Sequence, residues 1–274
     1  DYISPSFGWG CLFNCTYCYM KRNKPGGLSI ATNVNEILTA IDHHAWFADV
    51  EKPNQTHPEY ITYDISCNED FALHAKYHDW EKIFGFFRDH PRAMGSFATK
   101  YVNKDLLKFS PNGKVRIRFS LIPEKLRQIL EPNTSTIYER LLAVTEFNIA
   151  GYDVHLNFSP VIIYDGWLED YKRLFKLIDQ FAHCNDRHYF NLAYSDVKAE
   201  VIFLTHNEKK HEYNLANNLP GEDLLWKPEW QEEKVSQYGG NNLRYNAYVK
   251  GGGIDYFTKL HQEILPWMTI RYIF

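Results

Sequence analysis

Residues 8–19 of the chain read GWGCLFNCTYCY and place three cysteines, Cys11, Cys15 and Cys18, within eight positions. Three thiolates at this spacing, C-x3-C-x2-C, can surround one face of an iron–sulfur cubane. Because the protein supplies only three ligands, one iron keeps an open position that can chelate a small molecule beside a reductant. The spacing therefore predicts a [4Fe-4S] cluster with an exchangeable coordination site.

The alternatives for these cysteines are a zinc site and a set of buried thiols. Structural zinc sites use four ligands, usually in two separated pairs, but the sequence has no second C-x-x-C pair and no histidine between Cys18 and His43. Closely spaced cysteines also make a poor disulfide framework in a chain of 274 residues. We therefore expect metal ligation in a reducing, cytoplasmic compartment.

Composition restricts the class of protein. Apolar residues make up 45% of the chain and charged residues 23%, with a net charge of -4, as expected for a folded globular protein of one or two domains. No run approaches about eighteen apolar residues, and no secretory signal is visible, so we expect no membrane partner. The chain begins at Asp1, ten residues before the first cysteine, and we expect it to be a piece of a longer protein.

Strand-like and helix-like stretches alternate along most of the chain, which predicts an α/β fold with a largely parallel sheet. The clearest helix spans 167–183, with apolar residues at three- and four-residue spacing. Another should follow the N-cap residue types Asn133-Thr134-Ser135 and end near Gly151. The predicted strands are 60–66, 95–99, 114–120, 152–158, 189–193, 199–205 and 268–273. The polar stretch 206–242 interrupts the alternation and predicts a loop or hairpin.

The cysteine motif, with an aromatic residue just before its third cysteine, resembles that of the radical S-adenosylmethionine (SAM) superfamily. The resemblance implies SAM at the open iron, reductive cleavage to a 5′-deoxyadenosyl radical, and a partial parallel (β/α) barrel. On this basis 1–205 form the barrel core, and 206–274 add a C-terminal substrate-handling loop or hairpin, a final helix and a strand to the same domain. The physiological electron donor would be a protein such as a flavodoxin or a ferredoxin.

Further segments resemble the spore photoproduct lyase family, whose members reverse the methylene-bridged thymine dimer in DNA. They occur in the family's order at 114–120 (KVRIRFS), 131–135 (EPNTS), 150–152 (AGY) and 159–167 (SPVIIYDGW). The resemblance implies that Cys67, in the sequence Cys67-Asn68-Glu69-Asp70, returns a hydrogen atom to the product radical. Its alternative is a buried structural cysteine, the role that we expect for Cys184.

The resemblance also implies roles for residues around the cluster. Tyr17 and Tyr19 match tyrosines of the hydrogen return pathway, with packing against the cluster as the alternative. Lys100 and Ser120 match positions that contact SAM: a lysine can pair with its carboxylate, and a serine can hydrogen-bond its polar groups. Asn68 is a cofactor candidate by its position beside Cys67 alone.

Residues 237–248 resemble the hairpin that handles damaged DNA in the family. Arg244 could hold phosphate, and Tyr238 and Tyr245 could stack on an extruded base. This segment departs from the family's pattern in two ways. Gln237 stands where the family tends to have arginine, and the spacing from there to Arg244 is longer by about a residue.

Charge gives DNA binding only local support. Six cations against the single acid Asp105 lie within 100–118, whereas the whole chain is acidic. Repair of a DNA lesion, with damaged DNA as the partner, is therefore the first hypothesis. The alternatives are a related radical SAM enzyme acting on another nucleic-acid lesion or on a peptide, and a non-catalytic protein whose cluster serves electron transfer.

Overall fold

The computed structural model describes residues 3–20, 24, 27–48, 56–183, 194–235 and 241–274. Their strands are β1 (Gly8–Gly10), β2 (Leu28–Ile30), β3 (Ile61–Asp64), β4 (Ala93–Thr99), β5 (Val115–Ser120), β6 (Asp153–Val161), β7 (Ala199–Phe203), β8 (Thr205–His206), β9 (Gln231–Val235), β10 (Asn241–Tyr245) and β11 (Ile270–Ile273). Their α-helices are α1 (Val34–Phe47), α2 (Phe71–His74), α3 (Trp80–Asp89), α4 (Glu124–Leu130), α5 (Ile137–Ile149), α6 (Trp167–Ala182), α7 (Glu208–Ala216), α8 (Glu222–Leu225) and α9 (Ala247–Ile264).

The main sheet contains six parallel strands in the order β11-β7-β6-β5-β4-β3. Helices cover its outer face; α6, for example, buries Phe175 against Phe158 of β6, with ring centroids 5.4 Å apart. Two smaller antiparallel sheets accompany it, β1-β2 and β8-β10-β9. The predicted α/β class with a parallel sheet is confirmed.

The main sheet curls around a buried arginine. Arg118 of β5 lies 2.7 Å from a carboxylate oxygen of Asp64 on β3 and 3.3 Å from one of Glu200 on β7. Each of these strands is two places away, roughly 10 Å across a flat sheet, so one side chain reaches both only on a concave face. Arg271 of the edge strand β11 likewise donates to the carbonyl of Thr56, just before the opposite edge strand β3. The architecture is the expected partial barrel.

Most predicted elements form with small changes of boundary. The strand predicted at 189–193 lies outside the described residues, and the one at 199–205 is divided into β7 and β8. The helix predicted at 167–183 is α6. Helix α5 is capped by Thr136 rather than by Asn133, Thr134 or Ser135, because Thr136 and Glu139 form a reciprocal capping box.

The C-terminal part interrupts the barrel and then returns to it. The predicted loop or hairpin at 206–242 contains helices α7 and α8 and the paired strands β9 and β10. Helix α9 follows, and β11 then pairs with β7 in the main sheet. Within the described residues, none of the helices combines the length and hydropathy that crossing a bilayer demands.

Candidate active site

A cavity of about 450 Å³ opens at the carboxyl ends of the central parallel strands. This is the end at which barrel enzymes carry their active sites, because side chains from successive strand ends converge there. The residues on its wall include Cys11, Cys15, Tyr17, Cys18, Tyr19, Cys67, Lys100 and Ser120. The structure therefore brings together eight of the residues that the sequence predicted to be functional.

The cluster loop, residues 11–18, begins after a glycine that its geometry requires. Gly10 has a φ of 108°, and a Cβ there would lie 2.3 Å from the carbonyl oxygen of Gly27. Within the loop, the backbone N–H of Cys18 donates to the carbonyl of Cys15 at 3.0 Å. The backbone N–H of Thr16 donates to Leu130 at 2.9 Å, so the loop is tied both to itself and to the barrel.

The cluster thiols lie in a setting that suits an iron cluster. Burial, with a smaller effect from Asp70, raises the pKa of Cys11 to about 12, and burial also raises the pKa of Cys15. Buried thiolates need a compensating positive charge, which coordinated iron ions supply.

Tyr17 is bound to a buried ion pair. Its hydroxyl donates to Glu131, and Glu131 pairs with Arg140 at 2.9 Å, both side chains being fully buried. Burial, followed by the negative charge of Glu131, raises the pKa of Tyr17. The ammonium of Lys100 lies 5.7 Å from the centroid of the Tyr17 ring. Tyr17 therefore forms part of the cavity wall, with its hydroxyl hydrogen held by a carboxylate.

Tyr19 lies beside the lone cysteine. Its hydroxyl is 3.0 Å from the backbone carbonyl of Cys67 and 2.9 Å from the amide oxygen of Asn68. The Asn68 amide nitrogen donates to Ser6 at 2.8 Å. The amide oxygen and nitrogen of Asn68, a residue predicted to contact the cofactor, therefore both form hydrogen bonds with other protein side chains. The Asn68 side chain orients Tyr19.

Cys67 is exposed to the cavity, so the alternative of a buried structural cysteine does not apply. It follows β3, as expected for a residue at a strand's carboxyl end. Partial burial, together with the nearby carboxylate of Asp64, raises the pKa of the Cys67 thiol. The thiol therefore keeps its hydrogen at neutral pH, which a hydrogen-atom donor requires.

Lys100 and Ser120 offer a cation and a hydroxyl to the same cavity. Burial alone would lower the pKa of Lys100, but Glu131 and Cys15 outweigh it and raise the pKa, so the side chain stays charged. Its backbone N–H donates to Asp70 at 2.8 Å. Ser120 ends β5 and is 1% exposed. Together the two side chains can bind a carboxylate group.

Sequence reasoning gave no role to Glu69 and Asp70, which also line the cavity. Glu69 accepts from His74 at 3.0 Å and from His78 at 2.9 Å through one carboxylate oxygen, while its other oxygen is buried without a partner. Asp70 caps α2 and accepts from Thr99 at 2.7 Å. The sequence signal that could have identified them was their position two and three residues after Cys67.

Of the predicted hairpin residues, the two that the structure describes, Arg244 and Tyr245, do not line this cavity. Tyr238 and Gln237 lie outside the described residues. Arg244 pairs with Glu232 of β9 at 3.0 Å. Tyr245 is 1% exposed, and its hydroxyl oxygen accepts from the backbone N–H of Ile163 at 2.8 Å. The prediction that Tyr245 stacks on a base is corrected to a packing role, because its ring is in the core.

Comparisons with known proteins agree with this architecture. The sequence model of the spore photoproduct lyase family matches residues 1–274. Spore photoproduct lyase of Bacillus subtilis (strain 168) is 30% identical over 244 residues, which cover 87% of this chain and 66% of that protein. The enzyme of Clostridium acetobutylicum is 25% identical over 271 residues, covering 96% of this chain and 74% of that protein. This chain therefore spans about two thirds of the length of the Bacillus relative.

Solved structures extend the likeness to the fold. A spore photoproduct lyase double mutant with bound AdoMet and dinucleoside spore photoproduct superposes with a TM-score of 0.83 at 22% identity. The match covers 98% of this chain and 76% of that one. The enzyme complexed with dinucleoside spore photoproduct gives the same TM-score. At this identity, the superposition establishes a shared fold.

Proposed function

The chain belongs to the spore photoproduct lyase family, and we propose that it is a radical SAM lyase that repairs the methylene-bridged thymine dimer in DNA. Cys11, Cys15 and Cys18 would hold the [4Fe-4S] cluster. SAM bound there would supply, on one-electron reduction, a 5′-deoxyadenosyl radical able to remove a hydrogen atom from the lesion, and the methylene bridge would then fragment. The partners would be damaged DNA and an electron donor such as a flavodoxin or a ferredoxin.

One observation carries this proposal: Cys67 presents an exposed thiol to the cavity that the three cluster cysteines also line. Repair needs a hydrogen atom to return to the product radical. A thiol whose pKa is raised keeps that hydrogen at neutral pH. Electron transfer alone would need no such donor, so the geometry supports a lyase over a non-catalytic cluster protein.

The cavity wall supplies binding groups for the cofactor. The ammonium of Lys100 and the hydroxyl of Ser120 would bind the carboxylate of SAM, and Glu69 places a negative charge on the same wall for its ammonium group. Asp70 fixes the peptide at Lys100 through the backbone hydrogen bond. These contacts would orient the cofactor and leave little room for water.

The two tyrosines would take different parts in hydrogen return. Tyr19 places its hydroxyl beside the Cys67 backbone and can exchange a hydrogen atom with the thiyl radical. The Tyr17 hydroxyl donates to Glu131. Loss of its hydrogen would therefore require breaking a charge-assisted bond, and we assign Tyr19 the more direct part.

A second candidate, a related enzyme acting on another nucleic-acid lesion or on a peptide, is favoured by the burial of cations in the basic run 100–118, which removes part of the local support for DNA binding. Arg116 and Arg118 are buried in ion pairs with Asp153, Asp64 and Glu200. Lys114 is 6% exposed and donates to a backbone carbonyl. These three cations hold the barrel together, so they do not form the phosphate-binding face that the sequence suggested.

The test is an anaerobic assay of the reconstituted protein with SAM, a strong reductant and synthetic dinucleoside spore photoproduct. We expect repaired thymine dinucleotide only when SAM is present, measured with 5′-deoxyadenosine by chromatography. Release of 5′-deoxyadenosine without repair would contradict the proposed substrate and support the second candidate.

The Cys67→Ala variant tests the mechanism in the same assay. We expect it to cleave SAM and consume the lesion but to give a misdirected product, because no thiol returns the hydrogen atom. Cys67→Ser serves as the matched control for size, since its hydroxyl is a much poorer hydrogen-atom donor. A normal yield of repaired dinucleotide from Cys67→Ala would remove Cys67 from the mechanism.

A further inference from the structure

Helix α7 packs two buried polar side chains against the cluster loop. Lys210 and Asn214 are four residues apart and therefore lie on one face of the helix. They are only 7% and 2% exposed. The helix is fixed at its start by Asn207, whose side chain accepts from the backbone N–H of Lys210 at 2.8 Å. A polar pair buried this deeply needs defined partners.

Those partners are consecutive carbonyls between the second and third cluster cysteines. The Asn214 amide donates to the carbonyl of Thr16 at 3.1 Å, and the Lys210 ammonium donates to the carbonyl of Tyr17 at 3.2 Å. Lys210 also donates to the carbonyl of Thr205 in β8 at 3.0 Å. The lysine therefore bridges the peptide that leads into Cys18 and a strand of the C-terminal sheet.

A hydrogen-bonded anchor holds the helix in place. Glu222 of α8 accepts from Asn214, and its other carboxylate oxygen lies 2.7 Å from both His206 and His211. Burial lowers the pKa of His206, so the ring is neutral and carries one N–H. Its Nε2 faces the Glu222 carboxylate, which accepts the hydrogen. His206, His211 and Glu222 therefore form a hydrogen-bonded support for α7.

The contacts of α7 also extend to the three-stranded sheet β8-β10-β9, called here the hairpin sheet. Thr205 and His206 form β8, which pairs with Arg244 and Leu243 of β10. Helix α7 therefore lies between the hairpin sheet and the cluster loop, and Lys210 contacts both. The hydrogen bonds that the Lys210 ammonium donates to the carbonyls of Tyr17 and Thr205 are charge-assisted. They are therefore stronger than hydrogen bonds between two neutral groups.

From this geometry we propose that Lys210 is a positioning residue for the iron–sulfur cluster: it fixes the cluster-loop backbone at Tyr17 and so sets the orientation of Cys18. The proposal rests on the proposed function only in that the loop holds the cluster. Lys210 is not among the residues that line the cavity, and it acts through the backbone of Tyr17. Asn214 supports it at Thr16.

The experiment compares Lys210→Met with Lys209→Met, a matched control at the neighbouring exposed position. In the apoprotein, hydrogen–deuterium exchange of the peptide covering 12–18 should be roughly tenfold faster in Lys210→Met, as expected for losing a hydrogen bond to a charged group. In the reconstituted protein, iron loss to a chelator should accelerate, and the electron-spin resonance spectrum of the reduced cluster with SAM should change shape. Lys209→Met should match the unmodified protein in all three measurements.

The conservative variant Lys210→Arg separates positioning from folding, because it retains a cationic donor. It should restore most of the slow exchange and the unmodified spectrum. Exchange, iron loss and spectrum all unchanged in Lys210→Met would overturn the proposal. The proposal would also be overturned if Lys210→Met lowered only the thermal stability and left the spectrum of the SAM-bound cluster unaltered. None of these measurements uses the lesion, so failure of dinucleotide repair would count against the proposed function and leave this test intact.

Discussion

Side chains of the cluster loop converge on one cavity, whereas those of the β9–β10 hairpin divide between two faces. Cys11, Cys15 and Cys18 all line the cavity. Arg244 and Tyr245 are neighbours in β10, yet one pairs with Glu232 and the other enters the core. A strand turns successive side chains to opposite faces, while a loop between elements can gather its residues around one point.

The two regions also differ in how strongly their charges are held. The side chains of Glu131 and Glu69, in or beside the cavity, are fully buried, so hydrogen bonds to their charges are strong. The Arg244–Glu232 pair in the hairpin is about one third exposed on each side, so solvent screens it and its net contribution to stability is small. Substitutions should therefore act strongly around the cavity and weakly in the hairpin.

The largest effect is expected for Cys15→Ala. Cys15 is 5% exposed and is one of the three proposed cluster ligands, so its loss should abolish cluster binding. Iron and sulfide analysis after anaerobic reconstitution measures this directly. Cys67→Ala is the control and should keep a full cluster; a four-iron content retained by Cys15→Ala would contradict the ligand assignment.

The second-largest effect is expected for Lys100→Ala. Loss of a charge-assisted contact to the carboxylate of SAM should weaken SAM binding by roughly ten- to a hundredfold. Equilibrium titration of the reconstituted protein measures the affinity. The matched control is Lys104→Ala, whose side chain is 68% exposed; an equal affinity in both variants would remove Lys100 from the SAM site.

The acid stability of the protein tests the Glu69 network. Burial by itself raises the pKa of Glu69, but the hydrogen bonds from His74 and His78 outweigh burial and lower it. A carboxylate with a lowered native pKa stabilises the fold above its ordinary pKa of about 4.5, and that stability is lost as the pH falls. We therefore expect Glu69→Gln to be less stable at pH 7 and to show a smaller drop in thermal midpoint between pH 6 and about pH 3. Glu36→Gln, at an exposed site, should keep the full drop.

The smallest effect is expected in the hairpin, from Tyr245→Phe. The change removes the acceptor for the backbone N–H of Ile163 and should lower the free energy of unfolding by about 1 kcal/mol. Lesion affinity should stay unchanged because the ring is in the core, as denaturant titration and dinucleotide binding would show together. A marked loss of lesion affinity without loss of stability would restore the stacking role predicted for Tyr245.

Local sequence signals predicted the site where the chain itself supplies the geometry. The spacing of Cys11, Cys15 and Cys18 lies within one loop, and Cys67 and Ser120 follow or end strands whose alternation was visible. Glu69 and Asp70 were passed over although they lie close to Cys67 in the sequence, because acidic residues by themselves carry no distinguishing pattern. The run of cations at 100–118 could not be interpreted from composition for a related reason: composition cannot show that Arg116 and Arg118 meet carboxylates from other strands.

The sequence by itself therefore determined the cluster motif, the α/β alternation and the family, because each depends on residue types at short, fixed spacings. The tertiary structure decided which side chains share a cavity. It brought Lys100 to Tyr17 and Glu131 to Arg140, turned Tyr245 into the core, and placed Lys210 on a carbonyl 193 positions away along the chain. These contacts depend on strand register and on the curl of the sheet, which are set by packing across the whole barrel.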